Sequence, residues 1–153
     1  MTTIFTADEL FALAFAGEDS YAATVITESD ILEAESRYLI PIVGETMYHI
    51  LQRNSYVDLK INYVLPMLAA WVRYIVEPHL ASRCCIYHDE RRITEAENEN
   101  TERVLRALRL KAATLSRRLT DHLNSNVALY TEYNPEFNPL NHCFIHGNIV
   151  QIC

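Results

Sequence analysis

Residues 58–87, DLKINYVLPMLAAWVRYIVEPHLASRCCIY, form the stretch that decides the fold. Apolar residues fall on nearly every side of a helix built from this stretch, and such a helix lies inside a protein core. Pro66 is tolerated near a helix start, whereas Pro78 removes an i→i−4 hydrogen bond and is expected to bend the helix. The sequence therefore predicts a long central helix with Trp71 in the core.

A second long helix, with a single apolar stripe, is predicted from about Thr101 to Asn124. Its apolar residues recur at steps of three and four, as on the buried face of an amphipathic helix: Leu105, Leu108, Ala112, Leu115, Leu119 and Leu123. The same stretch holds six of the 13 basic residues of the chain: Arg103, Arg106, Arg109, Lys111, Arg117 and Arg118. They leave the apolar stripe uncovered, so the other face of this helix is predicted to be basic.

Two capping boxes mark helix starts in the N-terminal part. Thr6 precedes Glu9 by three residues and Thr27 precedes Asp30 by the same spacing, so each hydroxyl and carboxylate can cap the other's backbone amide. The first of these helices is expected to end near Gly17.

The ends of the remaining helices are set by proline, glycine and charge. The helix that starts after Thr27 is expected to stop before Pro41, and one more short helix is expected after Gly44. Residues 89–102 are mostly charged or polar and have almost nothing to bury. This segment predicts an exposed acidic loop whose last part begins the basic helix.

The sequence changes character from Val127 to Cys153. Asn-Pro steps favour turns, and the apolar pairs Phe144, Ile145 and Ile149, Val150 flank His146-Gly147-Asn148. The chain is therefore expected to consist of a helical domain, residues 1–126, and an extended C-terminal arm, residues 127–153, that can form a short hairpin. The predicted fold class is all-α, a compact bundle of about four to five helices.

Charge and glycine content exclude several classes of function. The chain has 20 acidic and 13 basic side chains, for a formal charge of −7, which is the wrong sign for a domain whose whole surface grips phosphates. The acidic residues dominate positions 1–60, while the basic ones cluster at 103–118. With three glycines, a glycine-rich phosphate loop is not expected.

The sequence predicts an intracellular protein without a membrane span. The N-terminus has no basic residue followed by a long apolar run, so it does not read as a secretory signal. The longest apolar stretch, residues 64–76, is interrupted by Pro66 and Arg73 and is shorter than the ~20 residues that cross a bilayer. The adjacent Cys84 and Cys85 suit reduced thiols rather than a disulfide framework.

No catalytic constellation is found in the sequence. There is no G-x-S-x-G and no H-E-x-x-H motif. Carboxylates such as Glu33 and Glu35, or the series at 95, 97 and 99, are typical of a solvated face. We therefore expect no enzymatic activity and no cofactor.

Zinc is the strongest hypothesis for a metal, but the spacing of the cysteine and histidine residues does not match that of known zinc sites. A zinc site would combine histidine and cysteine ligands, which zinc prefers: Cys84, Cys85, His142, Cys143 and His146. No C-x-x-C pair is present, and adjacent cysteines point to different faces of a helix. The sequence predicts no metal site.

Two blocks resemble a known family. Residues 28–48, ESDILEAESRYLIPIVGETMY, look like the helix-to-helix segment of small tailed-phage head–tail connector proteins. Residues 65–78, LPMLAAWVRYIVEP, are similar to the long central helix of prophage-encoded members. The arm from Val127 departs from the family pattern.

The resemblance implies a helical, non-enzymatic adaptor. It would form a homo-oligomeric ring at the portal, bind portal and neck or tail proteins, extend the DNA channel with non-specific contact to packaged DNA, and occur in the host cytoplasm during assembly and then in the virion. The partner interface is expected on the basic face at 103–118 and on the arm at Phe144, Ile145, Ile149 and Val150.

Two other functions stay open at this point. A helical DNA-binding or regulatory protein could use the Arg103–Arg118 face, although the acidic total charge and the lack of a helix-turn-helix glycine argue against it. A small cytosolic enzyme of unrecognised type would need an inward-facing pair of histidine and carboxylate.

Overall fold

The structure, a computed structural model, describes residues 3–16, 21–80, 95–146 and 149–152. As predicted, the fold is an all-α bundle. Its helices are α1 (Ala7–Ala14), α2 (Glu28–Ala34), α3 (Ile40–Val43), α4 (Glu45–Gln52), α5 (Val57–Leu59), α6 (Leu65–Val76) and α7 (Glu95–Ser125).

Both predicted capping boxes are present. The Thr6 side chain accepts from the Glu9 amide while the Glu9 carboxylate accepts from the Thr6 amide, and Thr27 and Asp30 repeat the arrangement. Helix α1 ends at Ala14, slightly before the expected end. These reciprocal hydrogen bonds satisfy amides that a helix start would otherwise leave unpaired.

The second helix does not stop before Pro41, contrary to the prediction. A π-helical turn, Glu35–Leu39, continues α2 into α3, and the Ile40 amide donates to the Glu35 carbonyl five residues back. This wider turn makes room for Pro41, whose ring would clash with the carbonyl four residues back in a regular helix. The helical path ends at Gly44, where φ is +81° and ψ is 158°, a region that only glycine adopts readily.

A second π-helical turn has the same sequence context. Residues Lys60–Val64 link α5 to α6, the Leu65 amide donates to the Lys60 carbonyl, and Pro66 follows. In both places the sequence is a tyrosine, two aliphatic residues and a proline, beginning at Tyr38 and at Tyr63. The two prolines are therefore incorporated into helical paths by the same device.

The central helix is α6, which packs chiefly against α7 and α1. Trp71 is 7% exposed, which confirms its place in the core. Tyr38 stacks on the Trp71 indole with 3.6 Å between ring centroids, and the indole N–H donates to Ser116 on α7 at 2.9 Å. The helical path narrows to a 3-10 turn, Glu77–His79, at Pro78, and residues 81–94 lie outside the described part of the chain.

Helix α7 is longer than predicted and begins at Glu95 instead of about Thr101. The added residues include glutamate and alanine, which favour helix, and acidic residues near a helix N-terminus are stabilised by its dipole. From the predicted apolar stripe, Ala112, Leu119 and Leu123 are fully buried, and the other three residues are partly buried.

The first half of the predicted arm is not extended but packs on the bundle. Tyr130 and Tyr133 belong to the hydrophobic core, and Asn138 is completely buried. Two 3-10 turns, Pro135–Phe137 and Pro139–His142, carry the chain across α3 and α7. The apolar content of this segment looked too small for a core of its own, but its tyrosines complete the core of the bundle.

The second half of the arm forms the predicted hairpin. Strand β1 (Cys143–His146) pairs antiparallel with β2 (Ile149–Ile152). In the backbone register Phe144 pairs with Gln151, Ile145 with Val150, and His146 with Ile149.

Candidate interaction surfaces

The basic face of α7 is the first candidate site. All six of its predicted residues are exposed to solvent: Arg103, Arg106, Arg109, Lys111, Arg117 and Arg118. The ion pairs found among described residues, Arg37 with Glu33 and Arg73 with Glu77, lie elsewhere. None of these six side chains forms an ion pair with another described residue, so they are available to an external partner.

The basic residues divide between two sides of α7. Arg118 lies with its guanidinium carbon 5.4 Å from the centre of the Tyr63 ring, on the side of the second π-helical turn. Arg109, Ala113 and Arg117 follow one another at steps of four, so they form a row along the helix. Ala113 is exposed and borders the Tyr38 and Trp71 rings.

A small apolar pocket lies beside this row. Its volume is about 170 Å³, and we call it the Trp71 pocket. The apolar residues that line it come from the first π-helical turn, α3, α6, α7 and the second 3-10 turn of the arm: Tyr38, Pro41, Ile42, Trp71, Ala113 and Leu140. Arg37 also lines it, so the pocket has a cation at its edge.

Acidic side chains are exposed on other parts of the surface. From the acidic N-terminal region the exposed carboxylates are those of Asp8, Glu9, Glu28, Glu33, Glu45 and Asp58. Glu9 is also a cap, and hydrogen bonds from Thr6 lower its pKa, so it stays ionised at neutral pH. Helix α7 also has exposed carboxylates, Glu102 and Asp121, so the charge segregation of the sequence is kept only in part on the folded surface.

Phe137 is the most exposed of the large apolar side chains on the surface of the described residues, at 79%. It lies at the end of a 3-10 turn and borders a groove of about 270 Å³, together with Ile42 and Glu45 among others. An isolated exposed apolar residue is ordinary. Phe137 differs because the backbone on both sides of it is held by side-chain hydrogen bonds.

Asn134, Asn138 and Asn141 fix the segment that presents Phe137. Asn134 accepts from the Glu136 amide at 3.0 Å, and Asn141 donates to the Pro135 carbonyl at 2.8 Å. The buried Asn138 amide group donates to Thr120 and to the Tyr133 hydroxyl and accepts from the Leu140 amide. With Pro135 and Pro139 restricting φ as well, Phe137 is displayed on a rigid loop.

Contrary to the expected solvated face, which holds for Glu33, Glu35 is the most deeply buried carboxyl group of the described residues, at 1% exposure. It accepts from the Ile4 amide at 2.8 Å and from the Tyr48 hydroxyl at 2.7 Å. Burial raises its pKa, although the two hydrogen bonds oppose that shift. The group joins the N-terminal segment to α4, and it opens onto none of the pockets described above, so its arrangement is structural.

Metal ligands and membrane spans were searched for among the described residues. No group of three or more histidine, cysteine, aspartate or glutamate side chains there could hold a metal ion. Cys84 and Cys85 lie outside the described residues, and the side chains of Cys143 and His146 are not described. None of the described helices is long and apolar enough to cross a bilayer.

The structure places the predicted interface residues in two groups. The six basic residues share α7, as predicted, whereas Phe144, Ile145, Ile149 and Val150 lie in the hairpin, where only the backbone is described. Sequence reasoning missed Phe137 and the Trp71 pocket. The repeated asparagine-proline steps around Phe137 were the available signal, since two such steps in six residues indicate a fixed loop.

The chain matches no protein-family model, no curated protein and no solved structure.

Proposed function

We propose that this protein is a structural adaptor that acts by assembling with copies of itself and with other proteins. In the specific form of the proposal it forms a ring at the portal of a phage or prophage particle and connects the head to neck or tail proteins. The assignment to a phage particle rests on the resemblance of residues 28–48 and 65–78 to head–tail connectors. The proposed mode of assembly rests on the charged surface of the molecule.

The observation that carries the proposal is the set of six exposed basic side chains on α7. Six basic side chains lie on one helix without an ion-pair partner among described residues, in a chain of net charge −7. Six exposed carboxylates lie between Asp8 and Asp58, and Glu102, Asp121 and Glu136 are exposed as well. Opposite charges on different parts of one surface favour contact between the basic part of one copy and the acidic part of the next.

Such a contact is heterologous, because the two copies use different surfaces. Heterologous contacts generate rings when the rotation between copies closes. The hairpin adds a second attachment point, because both of its strands have an outer edge that a strand from a neighbouring protein can join. These two features together fit an adaptor that contacts copies of itself and flanking proteins.

A charge-reversal experiment tests the proposal. Arg106→Glu combined with Arg109→Glu should leave the helical circular dichroism spectrum and the melting temperature nearly unchanged, because exposed substitutions usually alter stability by less than ~0.5 kcal/mol. Self-association, measured by sedimentation velocity over a range of concentrations, should weaken at least about tenfold, since like charges facing each other are unfavourable.

The contrasting variant is Arg53→Glu, which reverses an exposed charge at the end of α4, within the acidic part of the chain. We expect it to associate at least as tightly as the wild type, because it adds negative charge to the surface that faces the cations of the next copy. If the α7 double variant associates like the wild type, the basic face is only solvated surface and this mode of assembly is wrong.

DNA binding is the second candidate, because the same exposed cations could contact phosphates. Fluorescence anisotropy with a labelled duplex separates the two functions. A regulator that uses this face should bind DNA at physiological salt, with an affinity that falls steeply as salt rises. Tight, sequence-dependent binding without self-association would favour the regulator over the adaptor.

A further inference from the structure

The rigid display of Phe137 needs an explanation that the fold itself does not supply. The side chain is 79% exposed, so its ring adds little to the core. Yet the loop on both sides is anchored by Asn134, Asn138 and Asn141, and Asn138 is completely buried to do so. An aromatic residue that is held in place before binding loses little conformational entropy on binding, which is the property of an interface anchor.

A receptor for such a ring is present on the same molecule. The Trp71 pocket has a volume of about 170 Å³ and is lined mainly by apolar side chains. A dry apolar cavity of about 150 Å³ accommodates benzene, so the pocket is large enough for a phenyl ring. The Trp71 indole N–H is already bonded to Ser116, so an apolar occupant does not leave this donor unpaired.

The occupant cannot be the Phe137 of the same chain, because that ring is exposed and borders a different groove. A second copy of the chain fits the charges on both sides. Phe137 is preceded by the exposed Glu136, and the exposed Glu45 lies along the same groove. Arg109 and Arg117 lie one turn on either side of Ala113 at the border of the Trp71 pocket, whereas Arg37 at its edge is already ion-paired with Glu33.

We infer that Phe137 of one copy inserts into the Trp71 pocket of a second copy, with Glu136 and Glu45 facing Arg109 and Arg117. This inference rests on the proposed self-association and names the side chains that carry it. The apolar insertion supplies contact area, and the surrounding charges orient the two copies. The partner is thus a second copy of this chain.

Removing the anchor tests the inference. Phe137→Ala should preserve the melting temperature, because the ring is exposed, and should weaken self-association of the full chain at least about tenfold, as expected for an interface anchor. Ile61→Ala is the matched control, since Ile61 is a large apolar residue that is 56% exposed on the second π-helical turn. It should associate like the wild type.

Filling the pocket is the complementary test. Ala113→Trp places a large ring at the exposed border of the pocket without changing a buried residue, and it should weaken self-association to a similar degree. An equimolar mixture of Phe137→Ala and Ala113→Trp should associate better than either variant alone, because it contains one intact anchor and one intact pocket. Sedimentation velocity or native mass spectrometry measures all three samples.

The outcomes separate this inference from the proposed function. If the wild type self-associates and Phe137→Ala does so equally well, the anchor assignment is wrong while the adaptor proposal stands. The same holds if both variants are weakened but their mixture is not restored. If the wild type stays monomeric at every concentration, both the proposed self-association and this inference are wrong.

Discussion

At the scale of single residues, Glu35 links the N-terminal segment to α4 through one buried carboxyl group. Its carboxylate is enclosed, accepts hydrogen bonds from Ile4 and Tyr48, and has a raised pKa because of burial. Its own burial and the hydrogen bond that it donates to this carboxylate also raise the pKa of Tyr48. Two distant segments of the chain are joined at this point.

The raised pKa of Glu35 predicts a particular pH dependence. A carboxyl group with a raised pKa in the folded state binds its proton more tightly there, so its contribution to stability is complete below the unfolded pKa and is lost as pH rises through the folded pKa. The free energy of unfolding of the wild type should therefore fall, relative to that of Glu35→Gln, as pH rises above about 4.5.

Urea denaturation of the two proteins at a series of pH values measures that difference. The comparison cancels the contributions of groups common to both chains, including Glu9, whose lowered pKa acts in the opposite direction. A difference that stays constant with pH, or that grows in favour of the wild type, contradicts the assignment.

At the scale of elements, the arm is the part whose role changes most between sequence and structure. Residues after Val127 looked like a partner-dependent extension, but Tyr130 and Tyr133 lie in the core. Tyr130 packs edge-on against Tyr56, Tyr133 donates to Asn124 at the end of α7, and Tyr56 donates to Glu132. As far as His142, the arm therefore closes one side of the bundle.

Truncation separates the two halves of the arm. A chain that ends at Asn126 lacks both buried tyrosines and should be less stable by at least about 3 kcal/mol, at roughly 1.5–3 kcal/mol for each large side chain removed from the core. A chain that ends at His142 retains them and should melt close to the wild type, because it lacks only the hairpin. Thermal melts followed by circular dichroism test both. Equal melting of all three chains would mean that the packed half of the arm contributes nothing to the core.

Elements with a local signal could be predicted from the sequence, and those that depend on tertiary contacts could not. The capping boxes, the buried α6 and the apolar stripe of α7 all follow from the spacing of residues along the chain. The continuation through Pro41 depends on a π-helical turn, which regular helix periodicity does not reveal. The burial of Asn138 depends on Thr120 and Tyr133, which become its neighbours only after the chain has turned back onto α7.

The candidate site also has one part that could be predicted from the sequence and another that could not. The basic face of α7 could be located from sequence, because six cations at helical spacing beside an apolar stripe must be exposed together. The Trp71 pocket combines residues from three helices and the arm, so no spacing in the sequence indicates it. Phe137 resembles any loop aromatic until the hydrogen bonds on either side of it are known.

At the scale of the whole molecule, the prominent features of the described surface are the cations of α7 and a fixed aromatic ring. The most buried carboxyl group of the described residues joins two segments of the fold. The proposal of a self-assembling adaptor gives both features the same partner, a neighbouring copy of the chain.

The mass of the purified wild-type protein in solution tests this claim most directly. Sedimentation equilibrium or mass photometry across a wide concentration range should show species larger than the 17.6 kDa chain, increasing with concentration. Raising the salt concentration toward 1 M should shift the equilibrium toward the single chain, since the Debye length shortens to about 3 Å and the contacts between charges weaken. A single 17.6 kDa species at every concentration and salt level would contradict the account.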